Sequence, residues 1–189
     1  IFSFVSKAQL QTGSYNDYFR EGSFLLLEEN YDQALKNFLE AYKIDSSSAN
    51  INFNVGYCLM NSSNKKAGAE KYLAKAITAV TKNYRSDDPS EKEAPPLAHF
   101  YYARALHNNY KFDEAAAQYQ LFETTYVKDK KLKEEIEYYR AQTVYAKEKV
   151  SAPINVTIQN LGDSINSEYP DFSPVLSADE RTIIYTTRR

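Results

Sequence analysis

The feature that most constrains this chain is a recurrence of residue types at intervals of 34 positions. Three pairs of identical residues share that spacing: Phe19/Phe53, Gly22/Gly56 and Leu25/Leu59. Self-similarity at a fixed period of this size is typical of repeat proteins, in which a small unit buries its apolar face against copies of itself. We therefore expect a short array of stacked units.

The first copy, "YFREGSFLLLEENYDQALKNFLEAYKID", predicts two helices joined by a short turn. Gly22 is expected where the two helices touch, and Tyr31 is expected to open the second helix. Ala34 lets that helix approach the first, while Phe38 and Ala41 face inward. Small residues are needed at such contacts because the axes of packed helices lie only about 8–10 Å apart.

Two further copies follow, "INFNVGYCLMNSSNKKAGAEKYLAKAI" and "LAHFYYARALHNNYKFDEAAAQYQLF". Between them lies "NYRSDDPSEKEAPP", whose prolines and charges predict a solvated loop. A last helical run, "KLKEEIEYYRAQTVYAKEK", carries Leu132, Ile136, Tyr139 and Val144 along one side. Because terminal repeats need a polar outer face, this run is predicted to be a capping helix.

The three copies together resemble the tetratricopeptide repeat (TPR) family over roughly residues 15 to 150, since 34 residues is the period of that family. The resemblance implies an all-α fold. It would be a TPR-type α-solenoid of three helical hairpins plus a capping helix, seven helices in all, followed by a short β-rich C-terminal segment.

The C-terminal stretch "YPDFSPVLSADERTIIYTTRR" resembles the start of a WD40-like (PD40-type) propeller blade. The matching parts are an aromatic-Ser-Pro element at Phe172–Pro174, a Ser-x-Asp turn at Ser177–Asp179 and a β-rich run at Ile183–Tyr185. Glu180 stands where a glycine usually follows the aspartate. A propeller needs about 4–8 blades, so we expect the partners of this strand to lie beyond Arg189.

TPR hairpins followed by such a blade resemble a family of periplasmic envelope proteins that end in an OmpA-like peptidoglycan-binding domain. Some members of that family belong to the type IX secretion machinery. The resemblance implies that residues 9–150 are a TPR domain. Residues 151–189 would then be a linker and the truncated first part of a propeller.

Composition excludes several other classes of function. The net charge is −2 and charges of both signs are interspersed, so no basic stripe is available for nucleic acid. No stretch reaches the roughly 18 apolar residues of a membrane span. Residues 1–8 begin apolar and reach Ser6-Lys7-Ala8, with Ser6 and Ala8 at the −3 and −1 places of a cleavage site, which predicts a secretory signal remnant. The alternative is a partly hydrophobic helix start.

No catalytic, metal-binding or cofactor-binding residue is assigned. His99 and His107 are the only histidines, and we interpret them as surface or groove residues. No phosphate-binding loop, nucleophile elbow or zinc-binding helix motif occurs. Cys58, the single cysteine, is predicted to be a small core residue. We therefore predict that the chain is not an enzyme and needs no cofactor.

The TPR resemblance implies a concave groove lined by the first helix of each hairpin. Nine residues are expected to line it: Ser23, Leu27, Asn50, Asn54, Tyr57, Asn61, Arg104, His107 and Asn108. Asparagine side chains can hold an extended peptide backbone, because each carries both donors and an acceptor. The alternative is that these residues are simply exposed.

The resulting hypothesis is a non-enzymatic scaffold that binds a partner protein or peptide through its groove. It would be periplasmic and outer-membrane-associated, part of an OmpA-like or secretion-system complex, and would reach peptidoglycan only through a further domain. Two alternatives stay open. One is an accessory protein or enzyme whose active or sugar-binding site lies in the propeller. The other is a free-standing cytoplasmic TPR adaptor, which applies if residues 1–8 are not a signal remnant.

Overall fold

A computed structural model describes residues 13–163, 165–166 and 168–188. The chain divides into two compact units, Ile1–Ala152 and Pro153–Arg189. The first unit is helical and the second carries a β-hairpin. The predicted signal remnant at residues 1–8 lies outside the described residues.

The described part of the first unit contains seven α-helices, which confirms the all-α class. They are α1 (Tyr15–Leu27), α2 (Tyr31–Ile44), α3 (Ala49–Asn61), α4 (Glu70–Ala76), α5 (Leu97–Asn108), α6 (Phe112–Tyr126) and α7 (Lys130–Ser151). A 3₁₀ turn, Lys66–Ala69, leads into α4. Each helix packs mainly against the next one along the chain.

The turns of the first and third hairpins have the same geometry. Glu29 and Tyr110, each two residues past the end of its helix, adopt left-handed conformations with φ of 56° and 62°. The next residue donates its backbone N–H five residues back, from Asn30 to Leu25 O and from Lys111 to Leu106 O, at 2.9 Å in both cases. This is the Schellman arrangement, which closes a helix without an unpaired carbonyl.

The helix–helix contacts of the first two hairpins are centred on glycine. A Cβ placed on Gly22 would lie 2.7 Å from the Phe38 ring, and one on Gly56 would lie 2.5 Å from Cγ of Leu73. Ala34, which faces α1 across the first contact, is fully buried. The small residues predicted from the 34-residue period therefore lie where the backbones approach most closely.

Helix α7 packs on α6 through a face slightly different from the predicted one. Ile136 and Thr143 are buried, whereas Val144, which the sequence groups with Ile136 along one side, is 59% exposed. Thr143 lies seven residues after Ile136 and shares its side of the helix. Its hydroxyl donates to the Tyr139 carbonyl at 2.9 Å, so a polar residue is accommodated there.

Residues 77–96, which we name the strap, connect α4 to α5. Residues 83–96 form a loop, as the sequence predicts, and about half of them are exposed, but the rest pack against the helices. The backbone pairs with itself where Thr81 N–H donates to Ala94 O at 2.9 Å and Ala94 N–H donates to Ala79 O at 2.8 Å. Ala94 is fully buried and Glu91 nearly so. The strap therefore packs as part of the helical unit.

The strap is fixed to α3 through Asn50. The Tyr84 hydroxyl donates to Oδ1 of Asn50 at 2.7 Å, and Nδ2 of Asn50 donates to the Glu91 carbonyl at 3.2 Å. The backbone N–H of Asn50 also donates to the Lys92 carbonyl at 3.1 Å. Burial raises the pKa of the Tyr84 phenol, so this hydroxyl keeps its proton at neutral pH.

A second anchor joins the strap to the turn between α2 and α3. Lys92 Nζ lies 2.8 Å from Oδ2 of Asp45, and the other oxygen of that carboxylate accepts from Ser47. The hydrogen bonds from Lys92 and Ser47 lower the pKa of Asp45 from 3.8 to about 2. Asp45 is therefore ionised in the folded chain at all but strongly acidic pH.

The second unit contains β1 (Asp171–Leu176) and β2 (Ile183–Thr187), paired antiparallel with Leu176 opposite Ile183. The strand predicted to find its partners beyond Arg189 thus pairs with a strand of this chain. The turn between the strands is held by the side chain of Asp179, whose Oδ1 accepts from Ser177 Oγ at 2.6 Å. Glu180, at φ 58°, takes the left-handed conformation that glycine usually supplies.

Candidate functional site

A cavity of the helical unit lies between α1, α3, the strap and the first turn of α5. It has a volume of about 360 Å³. We name it the groove cavity, and its lining residues are Ser23, Leu26, Leu27, Phe53, Asn54, Tyr57, Tyr84, Ser86, Asp87, Pro95 and Leu97. Cavities of a few hundred cubic ångströms with mainly apolar walls are typical of ligand sites.

Two leucines form the exposed rim of the groove cavity. Leu27, at the end of α1, is 86% exposed, and Leu97, at the start of α5, is 38% exposed. Phe53 and Tyr57 lie one turn apart on α3 and form the wall between them. Because α1, α3 and α5 all contribute, the cavity opens on the side of the unit where the first helices of the hairpins lie.

The polar side chains that line the groove cavity lie on α1, on α3 and on the strap. Nδ2 of Asn54 donates to the Asn50 carbonyl at 3.0 Å and to Oδ1 of Asn50 at 2.8 Å, which fixes the orientation of the Asn54 amide. Asp87 brings an exposed carboxylate to the opposite wall. The cavity therefore combines an apolar interior with a few placed polar groups.

Tyr57, which lines the groove cavity, packs against two tyrosines outside that cavity. Its ring lies 6.0 Å from that of Tyr31 and 4.8 Å from that of Tyr101, both in edge-to-face geometry. Burial raises the pKa of the Tyr57 phenol. Such aromatic pairs hold each ring in one position, so the wall is preorganised.

Asn50, one of the residues expected to line the groove, is fully buried. The strap covers it, and its side chain is bonded to Tyr84, Glu91 and Asn54. The Asn50 side chain is therefore not accessible to a ligand, and its hydrogen bonds hold the strap in place. Asn61 lies outside the groove cavity, where its Nδ2 donates to the Tyr57 carbonyl at 2.9 Å.

The remaining predicted residues line a second, smaller cavity of about 140 Å³, which we name the Arg104 cavity. Its lining residues are Arg104, His107, Asn108, Tyr119, Tyr139 and Gln142, from α5, α6 and α7. The Thr143 hydroxyl donates to the Tyr139 carbonyl at 2.9 Å, and its oxygen lies 2.8 Å from Nδ1 of His107. Burial lowers the pKa of His107, which favours the neutral imidazole.

His99 departs from its prediction as a surface or groove residue. It is buried on the opposite side of α5, with Nδ1 3.0 Å from Oε1 of Gln118 and its ring stacked on Tyr126. Cys58 is buried as predicted. Burial raises the pKa of the Cys58 thiol to about 12, so it stays protonated at neutral pH.

The sequence did not predict that the strap lines part of the groove cavity. The lining residues that the strap contributes are Tyr84, Ser86, Asp87 and Pro95. One available signal was Tyr84, an aromatic residue within an otherwise polar run, because large aromatic side chains are commonly buried. The other missed lining residues, Leu26, Phe53 and Leu97, are apolar residues that the repeat pattern assigns to helix packing.

The described residues also bear on metal sites and membrane spans. No three His, Cys, Asp or Glu side chains of residues 13–163, 165–166 and 168–188 are grouped so that they could hold a metal ion. Within the same ranges, no helix combines the length and apolarity that crossing a membrane requires.

Comparison with known proteins adds no family assignment. No protein-family model matches the chain, and no curated protein sequence matches it either. What can be said about its function therefore depends on the helical unit and its two cavities.

Proposed function

We propose that the helical unit is a TPR-type α-solenoid and that it binds an extended segment of a partner protein in the groove cavity. The protein would act as a non-enzymatic scaffold in the cell envelope, periplasmic and outer-membrane-associated. Residues 151–189 would be the linker and first part of a WD40-like propeller. An OmpA-like or secretion-system complex is the setting that the resemblance of the sequence favours.

Two observations support the repeat assignment. Gly22 and Gly56, 34 residues apart, make equivalent close contacts with the helix that follows. The first and third hairpins also close with the same Schellman turn, at Glu29 and Tyr110. Equivalent contacts and turns at equivalent positions are what stacked copies of one supersecondary unit require.

The observation that carries the binding function is the exposed apolar rim of the groove cavity. Leu27 and Leu97 are exposed on either side of a preorganised aromatic wall that contains Tyr57. Exposed apolar groups around a cavity mark an interaction site, because burial of that surface by a partner is favourable. Affinity in such interfaces concentrates in a few buried anchors.

The test is selection of random peptides displayed on phage against the 189-residue chain, followed by calorimetry with synthetic copies of the selected peptides. Leu27→Glu and Leu97→Glu each place a charge on the rim and should weaken binding at least tenfold, about 1.4 kcal/mol. Ile44→Glu is the matched control, because Ile44 is 56% exposed on α2 and lies outside the groove cavity. Equal affinity of the rim variants and the wild type would refute the proposal.

A further inference from the structure

The environment of Arg104 indicates what chemistry the bound segment carries. The guanidinium lies 5.9 Å from the centre of the Phe100 ring, 5.6 Å from that of Tyr101 and 5.7 Å from that of Tyr139. Three aromatic faces attract the cation and hold it in one place. Among the described residues no carboxylate lies within ion-pair distance of Arg104. By contrast, Arg85 forms an ion pair with Asp88, and Arg140 forms one with Glu123.

The cavity beside Arg104 supplies further hydrogen-bond donors. Asn108 and Gln142 line it with side-chain amides, and Tyr119 lines it with a phenol ring. A partly buried guanidinium beside these side-chain amides, without a carboxylate partner, is matched by a carboxylate, which accepts two parallel N–H bonds from one guanidinium.

The Arg104 cavity and the groove cavity lie on one side of α5. Leu97, Tyr101 and Arg104 are at positions i, i+4 and i+7, which share a helix face. Seven residues at 1.5 Å each separate Leu97 from Arg104 by about 10 Å along the axis. Tyr101 lies between them and contacts Tyr57 of the groove cavity, at 4.8 Å between ring centres.

We propose that the segment bound in the groove is acidic, with an Asp or Glu side chain at Arg104 and an apolar side chain in the groove cavity. This inference rests on the proposed function. A segment in the polyproline II conformation advances about 3.1 Å per residue with three residues per turn, so side chains three residues apart lie about 9 Å apart on the same face. The Arg104 cavity is lined by residues of α5, α6 and α7 and has a volume of about 140 Å³, which is enough for one carboxylate side chain.

The test uses nine-residue fluorescent peptides of alanine and serine, amidated at the C-terminus, with leucine and aspartate three positions apart. Both orders of the pair are made, each with a version in which asparagine replaces aspartate. Anisotropy titrations with the 189-residue chain should show the aspartate form of one order binding roughly 10- to 100-fold more tightly than its asparagine form. Arg104→Gln should abolish that preference.

Arg20→Gln is the matched control, because Arg20 is exposed on α1 and lines neither cavity. It should keep the preference for aspartate. A further peptide carries no aspartate but ends in a free carboxylate. If that peptide binds more tightly than the aspartate peptide, the assignment to an acidic side chain is wrong.

The outcomes separate this inference from the function on which it rests. Equal binding of aspartate and asparagine peptides to the wild type overturns the inference. If replacement of leucine by serine still weakens those peptides, the groove proposal stands. A third outcome is that the aspartate peptide is preferred, but that neither removal of its leucine nor Leu97→Glu in the protein weakens its binding. That outcome overturns the groove proposal and leaves the Arg104 site. Absence of binding by every peptide overturns both.

Discussion

At Gly56 the fold leaves no room for a single methyl group, because the nearest atom of Leu73 would lie 2.5 Å from it. The sequence predicts this contact because Gly56 recurs 34 residues after Gly22. The left-handed residues Glu29 and Tyr110 were not predictable in the same way. Neither residue type favours positive φ, so their conformation follows from the Schellman hydrogen bonds and not from local preference.

Gly56→Ala should lower the free energy of unfolding by about 1–3 kcal/mol, because the added methyl group forces α3 and α4 apart. Gly68→Ala is the matched control, since a Cβ at Gly68 meets no atom within 4 Å. That change should be neutral or slightly stabilising, because alanine has less backbone freedom in the unfolded chain. Urea unfolding measures both, and a Gly56→Ala midpoint equal to that of the wild type would contradict the packing described here.

The strap is the element that differs most from its prediction. Its sequence, rich in charge and proline, has the local pattern of a loop. Its order comes from residues distant along the chain, since Asn50 bonds to Glu91 and Asp45 pairs with Lys92. No local pattern encodes such partners. The helices were predictable because their hydrogen bonds join residues close in the sequence, which leaves a periodic pattern. The bonds of the strap join distant residues and leave no such pattern.

The pair of Asp45 with Lys92 makes the attachment of the strap depend on pH. The folded pKa of Asp45, about 2, is below its ordinary value of 3.8. Its contribution to stability is therefore fully present above pH 3.8 and is lost as the pH falls through 2. Asp45→Asn should be less stable than the wild type at pH 5, and the difference should shrink from pH 4 to pH 2.

Guanidinium unfolding at each of these pH values measures that difference. Lys92→Met offers an independent check, because it breaks the same ion pair from the other side. Both variants should also make residues 77–96 more sensitive to protease at pH 7. A constant difference between Asp45→Asn and the wild type across the acidic range would show that the carboxylate contributes nothing specific.

At the scale of the whole molecule, the all-α class followed from the helical period of the sequence. Seven of the nine predicted groove residues line two cavities instead of one, and Asn50 and Asn61 line neither. Ser23, Leu27, Asn54 and Tyr57 line the groove cavity, whereas the predicted residues of α5 line the Arg104 cavity. The repeat pattern places residues on a helix face, but it cannot show that a connecting segment fills part of that face and buries Asn50.

Hydrogen exchange should distinguish the two units. Residues 153–161 are exposed and lie outside any helix or strand, so their amides should exchange within seconds at neutral pH. The amides of α3, which is buried along most of its length, should exchange most slowly. Mass spectrometry of peptic fragments reports both. Equal protection of residues 153–161 and α3 would contradict the division at Ala152.

The strap has a consequence for the order in which the protein folds. Its bonds to Asn50 and Asp45 close loops of 41 and 47 residues, whereas the helical hairpins form from neighbours in the chain. Loop-closure entropy opposes contacts between distant residues until their surroundings are in place. We therefore expect the strap to dock late, after α3 is formed. Newly made chains would acquire helical structure first and the outer wall of their groove last.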